Sequence, residues 1–107
     1  MIRYKFGDVV LVSFSQSNGV IKQRPALAIL DIGDDDVVLA SITSVPRSGQ
    51  GDYKIEKWKE SGLLFDSWVR LAKVAYLEKN EIITRIGVLS LEDRENTAQK
   101  WRELYKL

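Results

Sequence analysis

Short apolar runs separated by polar, glycine-bearing gaps set the character of this chain. Residues 8–14 (DVVLVSF) are rich in β-branched positions, entered by Gly7 and left through the turn-forming cluster SQSNG at 15–19, which predicts a first strand. Residues 24–30 (RPALAIL) predict a second, with Pro25 confined to its start, where a missing amide donor is tolerated. A turn at 32–36 then leads into a third run, 37–42 (VVLASI), which ends at Thr43. Strand, loop, strand, tight turn and strand describe an antiparallel meander. Pro46, Gly49 and Gly51 make the next segment a loop.

The second half has a different rhythm. Residues 52–55 form a short strand, and 56–61 read as one or two helical turns stopped by Gly62 in the manner of a left-handed cap. Residues 67–76 alternate with period two, so Ser67, Val69, Leu71, Lys73 and Ala75 share one face. Trp68, Arg70, Ala72, Val74 and Tyr76 share the other. Residues 82–89 are a further strand, whole or broken at Gly87. From Ser90, a good N-cap with Asp93 three residues on, a helix runs to about Lys106, with Leu91, Ala98, Trp101, Leu104 and Tyr105 as its apolar stripe. The pattern is mainly β with a short helix and a C-terminal α-helix.

At 107 residues the chain, 1–107, is expected to be a single domain with one modest core. Its composition, 45% hydrophobic and 29% charged, is that of a soluble globule. No run approaches the roughly 20 apolar residues of a membrane helix, and no export signal is visible, so a cytoplasmic address and no membrane partner are expected.

Two absences restrict the chemistry. There is no Cys and no His, so thiolate nucleophiles, imidazole acid–base pairs and histidine or thiolate metal sites are excluded. The triplet Asp34, Asp35 and Asp36 lacks the ligand spacing of a calcium loop and reads as a solvated turn with Gly33. No cofactor and no metal are expected. The net charge of +1 advertises no nucleic-acid binder, so any cationic site must be assembled by folding. Arg24, set extended by the proline after it, and the hydroxyls of Thr43 and Ser44 at the end of the next strand are the groups that could build an anion site.

The order of motifs resembles the PemK/MazF family, RNA-cleaving toxins of bacterial type II toxin–antitoxin modules. The resemblance runs over nearly the whole chain and is carried by FGDVVLV at 6–12, RPALAI at 24–29, ASITS at 40–44, Trp58 with Lys59, SGLL at 61–64, DSWVR at 66–70 and IGVLS at 86–90. It implies an SH3-like antiparallel β-barrel of the CcdB-PemK-like type, a homodimer, and an endoribonuclease (mRNA interferase) acting on single-stranded RNA without a metal. It also implies a cognate antitoxin with an acidic C-terminal segment. Since the same fold serves gyrase poisons, a non-catalytic toxin-fold binding protein is the alternative, followed by an SH3-like nucleic-acid or peptide-binding module.

Residue by residue, the resemblance makes Arg24, Thr43 and Arg70 the catalytic candidates. Around them, Lys22, Ser44, Arg47, Ser67, Trp68 and Lys73 are the RNA-binding candidates. Arginine offers a planar, permanently charged fork to phosphate oxygens and is a poor proton shuttle, so Arg24 is cast as electrostatic stabiliser. Thr43 can donate to a phosphate oxygen, and Trp68 beside Arg70 can stack on a base. The acidic residue that some members place two positions after the second arginine is Ala72 here, and the first loop, 15–23, is compact. The general base is left open among Asp66, Asp8 and Glu56.

Overall fold

Unbroken apolar stretches in the first three runs give each strand two faces to bury, and the fold covers both. The computed structural model describes residues 2–15 and 17–106. Its strands are β1 (Asp8–Ser15), β2 (Ile21–Leu30), β3 (Asp36–Thr43), β4 (Asp52–Lys54), β5 (Trp68–Glu78) and β6 (Ile82–Val88), with a 3₁₀ turn at Lys79–Glu81 and one helix, α1 (Leu91–Leu104). All strand pairings are antiparallel, in the order β4-β5-β3-β2-β1-β6. No pairing joins β4 to β6 among the described residues, so the sheet is mainly β as expected but open. Val9, Leu27, Ala40 and Ile42 pack on one face with Ile55, Leu63, Val69, Leu71 and Leu89. Their strand neighbours Val10, Ala26, Ala28 and Leu39 pack on the other with Tyr4, Val12 and Val37. Period-two alternation thus feeds two small cores.

Several boundaries differ from those expected. β2 begins at Ile21, so Arg24 lies inside it, opposite Val12, and Pro25 lies opposite Leu11. Residues 21–24 are all exposed, and without a buried face their β pairing leaves no hydrophobic period to read. Pro25 is tolerated because the β2–β3 ladder begins only at Ala26. The loop expected at 15–19 includes Gln16, which lies outside the described residues. In β5 the strict alternation breaks: Ala40 faces Val74 while Ser41 faces Arg70, leaving residues 71–73 bulged. Val74 therefore packs on the same core as Leu71, and Leu77 reaches the other core. Residues 56–61 form hydrogen-bonded turns rather than a helix, with Ser61 N donating to the carbonyls of Lys57 and Trp58.

Two further contacts fix how the outer segments lie on the sheet. A Cβ built on Gly62 would overlap the carbonyl oxygen of Ile86, and one built on Gly87 would overlap that of Ser61. The backbone of 61–62 crosses β6 with no side chain between them. At the other end, Ser90 caps α1 by accepting from Asp93 N at 3.1 Å. The Asp93 carboxylate, fully buried, accepts from Tyr53 Oη at 2.6 Å, Glu56 N and Lys57 N at 2.9 Å, and Ser90 Oγ at 3.1 Å. The helix stripe shifts accordingly. Leu91 is exposed, Asp93 and Thr97 are buried, and Trp101 and Leu104 join the core. Tyr105 Oη closes the end by donating to Leu71 O at 2.6 Å.

Burial alone would raise the pKa of Asp93, but donation from Tyr53, Lys57, Glu56 and Ser90 outweighs it and the pKa is lowered. Asp31 behaves alike: burial is opposed by Tyr4 N, Lys79 and Gly33 N, and its pKa is also lowered. A folded-state pKa below the unfolded value, about 3.9 for Asp, gives stability that is present above that value and lost as pH falls through the folded one. Acid titration followed by circular dichroism should therefore show unfolding below about pH 4. Asp93→Asn should be less stable at pH 7 by about 2 kcal/mol or more, with a shallower acid dependence. Gly87→Ala should lower stability by about 2 kcal/mol or more in urea melts, since a backbone crossing cannot yield as a flexible side chain would.

Candidate active site

The β2–β3 ladder ends where Ala26 pairs with Ser41, and Arg24 and Thr43 each lie two residues beyond that last pair on neighbouring strands. Both line a cleft of about 650 Å³. Its floor comes from Leu11, Pro25, Ile42 and Ile86, one from each of four strands, and its wall from residues 62–65 together with Ser67. The Gly62–Gly87 crossing is what brings that wall over the sheet. Thr43 Oγ1 accepts from Val45 N at 3.1 Å, a local turn that engages a lone pair and leaves the hydroxyl proton to donate.

The other candidates divide into those in the cleft and those outside it. Ser44 and Ser67 line it, and Ser67 Oγ donates to Phe65 O at 2.8 Å. Lys22 is exposed on β2, two residues from Arg24 and so on the same side of the strand. Arg70 does not line the cleft: it sits across β3 from Ser41 and pairs with Asp52 at 3.4 Å. Trp68 lies opposite Thr43, with Lys54 Nζ 5.8 Å from its ring centroid, so a cation already covers one face of the indole. Arg47, in the loop after β3, and Lys73, in the β5 bulge, are exposed and away from the lining.

The three carboxylates considered as bases also separate. Asp8 is buried, accepts from Lys5 N at 2.8 Å, and pairs with Arg85 at 3.3 Å. Glu56 belongs to the turns bound by Asp93. Asp66 lies at the rim, in an adjoining hollow, and no Asp or Glu lines the cleft among the described residues. Nor do the described residues include a group of three or more Asp or Glu placed to hold a metal ion.

Sequence reasoning passed over the apolar half of the site. Gln23, Val45, Leu64 and Phe65 line the cleft, and Leu64 and Phe65 are 80% and 65% exposed. The signal was present as three large apolar residues in a row after the capping Gly62, more than one turn can bury: Leu63 turns inward and leaves Leu64 and Phe65 outside.

A model of the PemK-like, MazF-like toxins of type II toxin–antitoxin systems matches residues 5–105. The chain belongs to this family. Among solved structures it is similar to an endoribonuclease in complex with its cognate antitoxin from a mycobacterial species, with 15% identity, 97% of this chain and 96% of that one covered, and a TM-score of 0.79. It is also similar to the Mycobacterium tuberculosis toxin MazF-mt6, at 18% identity, 92% and 97% coverage and a TM-score of 0.71. A third likeness is the MazE-MazF complex of Deinococcus radiodurans, at 13% identity, 100% and 99% coverage and a TM-score of 0.75. At such identities these likenesses speak for the shared fold. No curated protein matches the sequence.

The Thr43 turn makes a local prediction. Thr43→Val keeps the β-branched shape but removes the acceptor of Val45 N. Hydrogen exchange at Val45 should quicken while global stability stays within about 1 kcal/mol of the parent.

Proposed function

We propose that this toxin-family chain is an endoribonuclease that cuts single-stranded RNA without a metal ion. The observation that carries this reading is that Arg24 and Thr43, from neighbouring strands, line one cleft. In the proposed step the ribose 2′-oxygen attacks the adjacent phosphorus and the bond to the 5′-oxygen breaks. The 2′-hydroxyl gives its proton to solvent and the leaving oxygen takes one from solvent, which leaves a 2′,3′-cyclic phosphate and a 5′-hydroxyl. Arg24 offers its fork to the non-bridging oxygens as charge builds on them, and Thr43 donates its free proton to the same group. Single strands suit an open cleft because their bases are free to be stacked and read.

The remaining candidates fit graded roles. Ser44 offers a hydroxyl within the cleft, Ser67 serves RNA binding by holding Phe65 O and with it the wall, and Lys22 adds charge beside Arg24. Arg70, partly neutralised by Asp52, contributes less to the transition state than Arg24. Trp68 presents its remaining face to a base, and Arg47 and Lys73 meet the flanking backbone. Arg24→Ala should lower kcat at least about a hundredfold, as the loss of roughly 3 kcal/mol of charge stabilisation does, with Arg70→Ala milder. Both are read in EDTA by following 5′-hydroxyl ends. Loss of all cleavage in EDTA, or full activity in a folded Arg24→Ala variant, rejects the assignment.

The working unit is proposed to be a cytoplasmic homodimer held in check by an antitoxin. Leu30, Val38 and Tyr76 lie side by side across β2, β3 and β5, with Leu30 and Tyr76 exposed, a row that a second copy would cover. No helix is long and apolar enough to cross a membrane among the described residues. The solved likenesses include a complex with an antitoxin, and a cleft of apolar walls around Arg24 suits an acidic, partly apolar segment that folds as it docks. Light scattering in dilute solution should return twice the chain mass. The antitoxin's C-terminal segment should displace bound RNA, more weakly as salt rises. A monomer, or an antitoxin that leaves RNA bound, speaks against this arrangement.

A further inference from the structure

Beside the cleft, Ser44, Trp58, Leu64, Phe65 and Asp66 line a second, shallow hollow of about 440 Å³. Ser44, Leu64 and Phe65 line both, so the two open into one another. Phe65 is held out in solvent on a segment anchored at Gly62 by the β6 crossing and at Phe65 O by Ser67 Oγ. The neighbouring Asp66 carboxylate is exposed and makes no hydrogen bond or ion pair among the described residues. Trp58 forms the inner side, half-buried against the core, with Lys59 Nζ 5.4 Å from its ring centroid.

An aromatic face beside an uncommitted acceptor suits a planar heterocycle that carries N–H donors. A phosphate would be repelled by Asp66, and a purely apolar side chain would desolvate that carboxylate without a partner. We propose that this hollow is a nucleobase subsite in which Phe65 stacks on one base and Asp66 accepts hydrogen bonds from its edge. The proposal rests on the RNA-cleaving reading, since the phosphate of the same nucleotide would lie toward Arg24 and Thr43. A carboxylate presents two acceptors side by side, and guanine, with its N1–H and N2–H donors adjacent and parallel, matches them best. Cytosine and adenine offer one amino group each. Uracil turns a lone N–H flanked by two carbonyls toward the carboxylate and is disfavoured.

The experiment uses a pool of random-sequence single-stranded RNA, cut in EDTA by the full chain and by Asp66→Asn and Phe65→Ala, with cut ends sequenced and kcat and KM measured on a preferred oligonucleotide. Both residues are exposed, so both variants should fold. Wild type should favour guanine at one position near the cut, and Asp66→Asn should relax that preference about tenfold or more. Phe65→Ala should raise KM about tenfold while leaving kcat and the preference in place. A preference unchanged in Asp66→Asn, or cleavage lowered equally at every site as loss of a general base would do, overturns the subsite. So does an arginine-bearing peptide that binds wild type and not Asp66→Asn while the RNA preference stays fixed, which would give the hollow to a guanidinium. Wild type that neither binds nor cuts RNA overturns the RNA-cleaving reading itself, a result distinct from the others.

Discussion

Asp93 is one carboxylate with four donors, and the outer layer of the molecule is organised around it. Its contacts reach the first turn of α1, the phenol of Tyr53 on β4 and the amides that open the 56–61 turns. None of these segments pairs with another through a sheet ladder, so no backbone register would hold them together. A buried charge is costly when alone, and here each donor both offsets that cost and ties down a different piece of chain. Burial and the neighbouring carboxylate in turn push the Tyr53 phenol up, which keeps it a donor. The cleft wall begins where these turns end, so the geometry around Arg24 depends on a residue that does not line the cleft.

The sheet supplies the rest of the site by a different principle. β2 and β3 are paired through buried Ala26, Leu27 and Ala40, and just past the end of that ladder Arg24 and Thr43 both reach the cleft. Small residues at three of the paired positions let both layers pack closely. The bulge at 71–73 then reverses which face of β5 turns inward, so a single strand contributes Leu71 and Val74 to one core and Leu77 to the other.

The legible parts of this fold are those where one local force dominates. β1, β3 and the N-cap of α1 were readable because β-branched runs and a Ser–x–x–Asp pattern each point one way. The start of β2 was not, since exposed residues 21–24 are held by backbone pairing alone. The β5 bulge was hidden for the opposite reason: residues 67–76 alternate so regularly that nothing local opposes a straight strand, and only packing against β3 and Gly51 breaks it. Arg24 and Thr43 stand out in the sequence as polar groups flanking apolar runs, the family resemblance gives them a role, and the cleft they share is where the fold brings them together. In the sequence Asp93 shows only as the residue three positions after the N-cap Ser90, because the Glu56 and Lys57 amides it binds are close only in space.

The crossing of residues 61–62 over Gly87 gives the cleft two unlike sides. Where backbone touches backbone there is no rotamer to change, and that wall meets every ligand in the same shape. Leu64 and Phe65, on the same segment but in solvent, keep their torsional freedom until something packs on them. A ligand packing on these two exposed side chains would pay to order them, a cost the backbone crossing does not carry. Substitution at these two exposed positions would therefore change the surface of the cleft while the backbone crossing and the strands beneath it keep their shape.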